Sequence, residues 1–207
     1  MRKLYKYYVL FKEDRLGTMF FLITLIKRET LAFIYKPFIW ILKIKGCHIE
    51  PNCRFYNSTL VERFPKSTIR IGNNCVFVST SLINYRGISH KCIINTGAVG
   101  AEIIIGDNCG FSGVSIVANK SVRIGNHVTV GADTIIGDRD DHSELYPSEP
   151  RPVVIEDNVW IGMHCIILKG VHIGENTIIG AGSIVTKDIP ANSIAAGVPC
   201  KVIKSKN

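Results

Sequence analysis

Between Ile155 and Ile194 aliphatic residues return every six positions without a break. Ile155, Ile161, Ile167, Ile173, Ile179 and Val185 head successive hexads, and glycine follows at 162, 174 and 180. A second apolar or small residue recurs with the same period at Val159, Cys165, Val171, Thr177, Ser183 and Ile189. A fixed short period of this kind predicts a repeat architecture. Six residues are too few for a helix pair. They suffice for one short strand and one corner, stacked into a solenoid whose aliphatics fill a continuous interior. Each hexad must bend the chain sharply after its inward residue. Asp157-Asn158, Glu175-Asn176 and Ala191-Asn192 supply residues that accept positive φ at those corners.

The repeat begins earlier and less regularly, at Ile71-Gly72-Asn73-Asn74, Ile105-Gly106-Asp107-Asn108 and Ile124-Gly125-Asn126-His127. The steps from 105 to 124 and from 124 to 155 are each one more than a multiple of six. Such slips predict bulges or extruded loops. The larger one is visible as a polar, acidic, proline-bearing run from Gly137 to Pro152, which cannot fill a coil interior and must leave the solenoid face. A rigid scaffold that makes one such excursion commonly carries function on it. We therefore expect an N-terminal segment over 1–46, a β-solenoid over 47–194 with an extruded loop at 137–153, and a tail over 195–207.

The first 46 residues differ from the rest. They hold ten Lys/Arg and three acidic residues, so almost the whole net charge of +8 resides there. They are also strongly apolar, with Met19 to Ile23 and Leu31 to Leu42 predicting helices broken near Pro37. The uncharged run from Leu16 to Ile26 is well short of the ~20 residues a membrane span needs, and no cleavage-type small-residue site follows. Two roles remain open: a cover on the open end of the solenoid, or a basic amphipathic contact with an anionic membrane surface. The body carries no basic stripe, which argues against nucleic acid. Seven scattered cysteines without a C-x-x-C pair read as reduced, small apolar core residues. The expected location is the cytoplasm, with the inner membrane face as the site of any contact.

Candidate chemistry lies in the excursion. His142 follows Asp140 by two residues and Asp138 by four. A carboxylate beside an imidazole fixes its tautomer and suits it to general-base work near neutral pH; the other reading is a solvated loop histidine among surface acids. His127, His164 and His172 fall at corners or outward places, with no ligand-like spacing, so no metal site is expected.

The run from Val153 to Lys204 resembles the hexapeptide-repeat acyltransferases, in particular the galactoside/maltose-type and polysaccharide O-acetyltransferases. The motifs that carry the resemblance are Asp157 to Gly162, Ile179 to Pro190 and Ala196 to Lys204. It implies an all-β solenoid wound as a left-handed parallel β-helix, and the hand rests on the resemblance alone. It further implies a homotrimer with active sites between subunits, acetyl-CoA as co-substrate, no metal, and a sugar or glycan hydroxyl as acceptor. By position, His142 would be the base and Asp140 its orienting carboxylate. Met163 and Ala181 would meet acetyl-CoA through backbone groups, together with Thr186 and Lys187. Lys201 and Lys204 would lie near the CoA phosphates, where relatives often carry Arg. Trp160 resembles a cleft tryptophan, or else is an edge-packing aromatic. Ser112 and Asp138 would contact the acceptor, or else Ser112 is an ordinary corner serine. Ser143 stands where relatives commonly have Pro. An oxyanion donor is expected near Gly162–Met163. Alternative readings are an N-acyltransferase on an amino sugar, a serine O-acetyltransferase and, more remotely, a γ-type carbonic anhydrase-like metalloenzyme or a non-catalytic scaffold.

Overall fold

The computed structural model describes residues 2–140 and 149–206. Three helices, α1 (Arg2–Glu13), α2 (Arg15–Ile34) and α3 (Lys36–Ile44), precede a coil of short strands that begins at His48. The strands form three sheets of six, eight and six members, and each strand pairs in parallel with the equivalent strand of the next coil. The exception is the final strand, Lys201–Ser205, which folds back antiparallel on Ser193–Ala196 and ends the eight-stranded sheet. The boundary expected at residue 195 thus falls inside a strand. We call the faces first (with His48–Ile49), second (with Arg54–Tyr56) and third (with Leu60–Arg63).

The hexads set this geometry directly. Ile155, Ile161, Ile167, Ile173, Ile179 and Val185 are all buried, as are Val159, Cys165, Val171, Thr177, Ser183 and Ile189. Asn158, Asn176 and Asn192 have φ of 57°, 56° and 56°, as the corners require. The same left-handed residue recurs at the first-to-second corner of earlier coils as Asn52, Asn74, Asn108 and His127. Just after it, Cys53, Cys75 and Cys109 stack inside, each thiol donating to a glycine carbonyl of the next coil at 3.1 Å. All seven cysteines are free and buried.

In the N-terminal coils the interior is aromatic. Phe55, Phe77 and Phe111 stack at 4.9 and 5.0 Å between ring centroids, and Phe38 of α3 closes the column edge-on at 5.4 Å. Leu42 is fully buried there, and the Tyr35 hydroxyl donates to Asn57 at 2.9 Å. The helices therefore cover the open end of the coil. The break near Pro37 occurs at Tyr35, with Pro37 in the first turn of α3. A further break at Asp14 separates α1 from α2, where the Asp14 carboxylate caps Gly17 N–H at 2.8 Å. Among the described residues, no helix is long and apolar enough to cross a membrane.

The coil is broken by two excursions. One is the expected run after Gly137. Its feet are tied together by a hydrogen bond from Arg151 N–H to Asp138 C=O at 2.8 Å. The other, between the strands Val76–Val78 and Ile93–Thr96, is not foreseen from the hexads.

Candidate active site

A groove of about 320 Å³ runs along the corner between the second and third faces. It is lined by Gly131 and Ala132, then Trp160, Gly162 and Met163, then Ile178 to Ala181. These are matching positions of three successive coils, because Thr129 pairs with Trp160 and Trp160 with Ile178. Trp160, Met163 and Ala181, three of the residues singled out in the sequence, are thereby brought together. Trp160 is 55% exposed.

The glycines are needed because the coils approach closely here. A Cβ on Gly131 would stand 2.5 Å from Met163 N, and one on Gly162 would stand 2.5 Å from Ala181 N. Gly162 N–H donates to Ile179 C=O at 2.8 Å, so it is committed to the ladder. The N–H groups of Ala132, Met163 and Ala181 make no backbone hydrogen bond among the described residues. The expected oxyanion donor near Gly162–Met163 thus narrows to Met163. Three unpaired amides in a row along a groove suit a ligand with several carbonyl or oxyanion acceptors. Thr134, fully buried, fixes this corner by donating to Gly162 C=O at 2.9 Å.

The other sequence-derived residues fall into separate groups. Lys201 and Lys204 lie on the terminal strand, exposed, with Lys204 paired to Ile194 and Ile194 to Ile178. They extend the second face beyond the groove toward the C-terminus. Thr186 and Lys187 are exposed at the opposite edge of the third face, at its corner with the first. One coil below them at this corner, Lys169 forms an ion pair with Asp140. Ser112 lies one coil below Gly131, because Phe111 pairs with Val130, and it is half-buried. His142, the expected base, and Ser143 lie outside the described residues.

Asp138 requires a correction. It is not an exposed group available to an acceptor but is 0% exposed. Its carboxylate accepts the N–H groups of Asn119, Lys120 and Ser121 at 2.8, 2.6 and 2.7 Å. These amides form a corner that holds two extra residues, eight from Ile116 to Ile124 against six from Ile167 to Ile173, which with the five from Phe111 to Ile116 leaves the net slip of one between Ile105 and Ile124. Asp138 therefore anchors the root of the excursion. His127 and His164 sit at two different corners with φ of 56° and 54°. His172 stands on the first face, 2.8 Å from Glu156, whose carboxyl is held below its usual range by the Glu175 N–H and by this imidazole.

One groove residue escapes the hexad reading. Arg86 lines the groove, although it belongs to the excursion between Val78 and Cys92. The trace in the sequence is the run from Ser79 to Lys91, whose apolar residues Leu82, Ile83 and Ile88 do not sustain the six-residue period.

The comparisons agree with this architecture. The pattern described as bacterial transferase hexapeptide (six repeats) matches residues 152–187. A galactoside O-acetyltransferase of Escherichia coli (strain K12) is 44% identical over 115 residues, which is 52% of this chain and 56% of that protein. The chain thus spans little more than half the length of that relative. A galactoside O-acetyltransferase of Lactococcus lactis subsp. lactis (strain IL1403) is 33% identical over 157 residues, 71% of this chain and 68% of that protein. Among solved structures, an N-acyltransferase from Bacillus cereus, in complex with dTDP and 3-hydroxybutyryl-CoA, shares the fold. Its TM-score is 0.63 at 21% identity, over 80% of this chain and 87% of that one. With the stacked hexads, the parallel three-faced coil and these matches together, the chain belongs to the bacterial hexapeptide-repeat transferase family and folds as a left-handed parallel β-helix capped by N-terminal helices.

Proposed function

We propose that this protein is an acetyl-CoA-dependent O-acetyltransferase acting on a hydroxyl of a sugar or polysaccharide, with direct transfer inside a ternary complex. The observation that carries the reading is the groove with its unpaired Met163 and Ala181 amides, continuous with the strand bearing Lys201 and Lys204. Acetyl-CoA would lie along it, its amide carbonyls and thioester toward the amides and its phosphates toward the lysines. Lysine supplies charge without the two-pronged grip of arginine. His142 would take the proton from the attacking hydroxyl, a contribution of roughly 10²–10⁴-fold, while the Met163 N–H holds the developing oxyanion. Asp140 would orient the imidazole. The names of the two galactoside O-acetyltransferase relatives support the reaction class.

Within one chain the groove and the root of the His142 excursion lie at opposite edges of the third face. A homotrimer resolves the separation. Leu60, Ile93, Ser115, Ile135, Ile166 and Ile184 align in register as the outward row of this face. The first face presents His48, Arg70, Ile104, Arg123, Val154 and His172 instead. The apolar face suits burial between copies. In a threefold ring with these faces turned inward, one edge of each face meets the opposite edge of the next. Thr186, Lys187, Asp140 and His142 of one copy would then join Trp160, Met163 and Ala181 of its neighbour.

The helices leave a wide apolar surface after capping the coil: Phe20, Ile26, Phe33, Trp40 and Ile44 are 63, 65, 70, 72 and 84% exposed. Combined with the basic excess of residues 1–46, this suits peripheral contact with an anionic membrane. Sedimentation with phosphatidylglycerol vesicles, weakened by Phe33→Glu with Trp40→Glu, checks it. Equal binding by the variant and the natural protein contradicts it.

The main test is release of CoA thiol with a panel of sugar acceptors. His142→Ala should retain CoA binding and lose at least a hundredfold in turnover. Near-natural turnover means that another base is used. Lys201→Ala with Lys204→Ala should raise the acetyl-CoA KM more than it lowers kcat.

A further inference from the structure

The excursion between Val78 and Cys92 is fastened over the edge of the groove. Ser89 N–H donates to both carboxylate oxygens of Asp133, at 3.1 and 2.9 Å, and the His90 Nε2 lies 3.9 Å from the same carboxylate. Asp133 sits at the second-to-third corner with φ of 55°, directly after the groove residue Ala132. Gly113 lets the excursion pass. Its φ is +56°, and a Cβ there would lie 2.9 Å from the His90 carbonyl oxygen, 3.1 Å from Ile88 Cβ and 2.6 Å from the Asp133 carboxylate. The excursion therefore climbs from a lower coil, crosses the Ser112–Gly113 corner and presents Arg86 at the groove. Tyr85, beside it, is 87% exposed. Among the described residues, no carboxylate forms an ion pair with Arg86.

Position along the groove separates this cation from the donor's. Lys201 and Lys204 lie beyond Ile178 to Ala181, at the C-terminal end, whereas Arg86 is carried in by an excursion that rises from lower coils and is tied to Asp133, directly after Ala132, at the N-terminal end. A donor whose phosphates rest on the lysines and whose thioester reaches Met163 leaves the Arg86 end to the acceptor.

We propose that Arg86 is a specificity residue that binds an anionic group of the acceptor, a sugar carboxylate or phosphate, with the Tyr85 ring available to the sugar face. This rests on the acetyl-transfer reading above. A guanidinium grips either anion through two parallel N–H bonds, which a neutral acceptor cannot use.

The test compares the natural protein with Arg86→Gln and Arg86→Lys on methyl β-glucuronide, glucose 1-phosphate and neutral methyl β-glucoside. CoA-thiol release is measured, and so is calorimetric binding of the same three compounds. The expected result is tighter binding of at least one anionic sugar than of the glucoside by the natural protein. Arg86→Gln should lose about 10- to 100-fold in binding and in kcat/KM for that sugar. Arg86→Lys should fall between, and the glucoside values and the acetyl-CoA KM should change less than about threefold. The carboxylate and phosphate probes distinguish the two kinds of anion. The proposal is overturned if neither anionic sugar binds better than the glucoside, or if Arg86→Gln affects all three alike. It is also overturned if the variant instead raises the acetyl-CoA KM, which would assign Arg86 to the donor's diphosphate. An absence of turnover with every acceptor would count against acetyl transfer, and the binding comparison would still decide the role of Arg86.

Discussion

Replacing Asp138 by Asn should detach the root of the His142 excursion at a cost that the hydrogen bonds define. The carboxylate is fully buried and accepts three backbone N–H groups, two of them on Oδ2. In the best orientation the Asn oxygen keeps Lys120 and Ser121, and its NH₂ group then faces the Asn119 N–H. One buried donor is orphaned, worth about 1–3 kcal/mol. The two surviving bonds lose the charge that roughly doubled their strength, about 1 kcal/mol each. The sum is about 3–5 kcal/mol. Urea unfolding at fixed protein concentration, which matters if the protein is oligomeric, reads this loss directly. Limited proteolysis should show faster cutting within the excursion. Asp140→Asn is the control: that side chain is 43% exposed, and its ion pair with Lys169 should contribute less than about 1 kcal/mol. A loss below about 0.5 kcal/mol for Asp138→Asn would refute the anchoring role.

Further outcomes follow from the interior and the corners. Phe77→Ala removes the middle ring of the Phe55–Phe77–Phe111 stack and should cost about 3–5 kcal/mol in the same unfolding assay, with Phe77→Leu costing much less. At Asn158, where φ is 57°, Gly should be tolerated within a few tenths of a kcal/mol, whereas Val should cost about 1–2 kcal/mol of unfolding free energy. Burial pushes the thiols of Cys47, Cys92, Cys165 and Cys200 upward. The folded protein therefore keeps these protons where the unfolded chain releases them. Their contribution is fully present below about pH 8.5 and declines as pH rises toward the raised folded values, by up to about 1.4 kcal/mol per pH unit per thiol. Cys165→Ala should show a shallower loss of stability between pH 8 and pH 10 than the natural protein.

What could be read from the chain without coordinates was whatever each coil repeats. Ile161 and Ile179 occupy the same inward place, and Asn158 and Asn176 the same left-handed corner, so period alone locates them. Met163 and Ala181 stand at equal places one coil of three hexads apart, but Trp160, Met163 and Ala181 were grouped by the family resemblance rather than by the period. Asp138 was misjudged because its partners Asn119 to Ser121 lie one coil away, and nothing local marks an acid as buried. Arg86 was missed because the run from Ser79 to Lys91 breaks the period. Where a non-repeating segment lies depends on single contacts such as Ser89 to Asp133, which periodicity cannot encode. The two helices after Asp14 were legible from apolar runs and Pro37, whereas the break at Asp14 depends on a cap rather than on a helix breaker.

The most direct measurement is complementation between two inactive variants, His142→Ala and the groove-filling Ala181→Trp, co-expressed in equal amounts. If the base of one copy serves the groove of its neighbour, random threefold mixing leaves roughly one interface in four with both parts intact. About a quarter of natural acetyl-CoA-dependent turnover should return. Mixed trimers that remain as inactive as either variant alone would contradict a site shared between subunits.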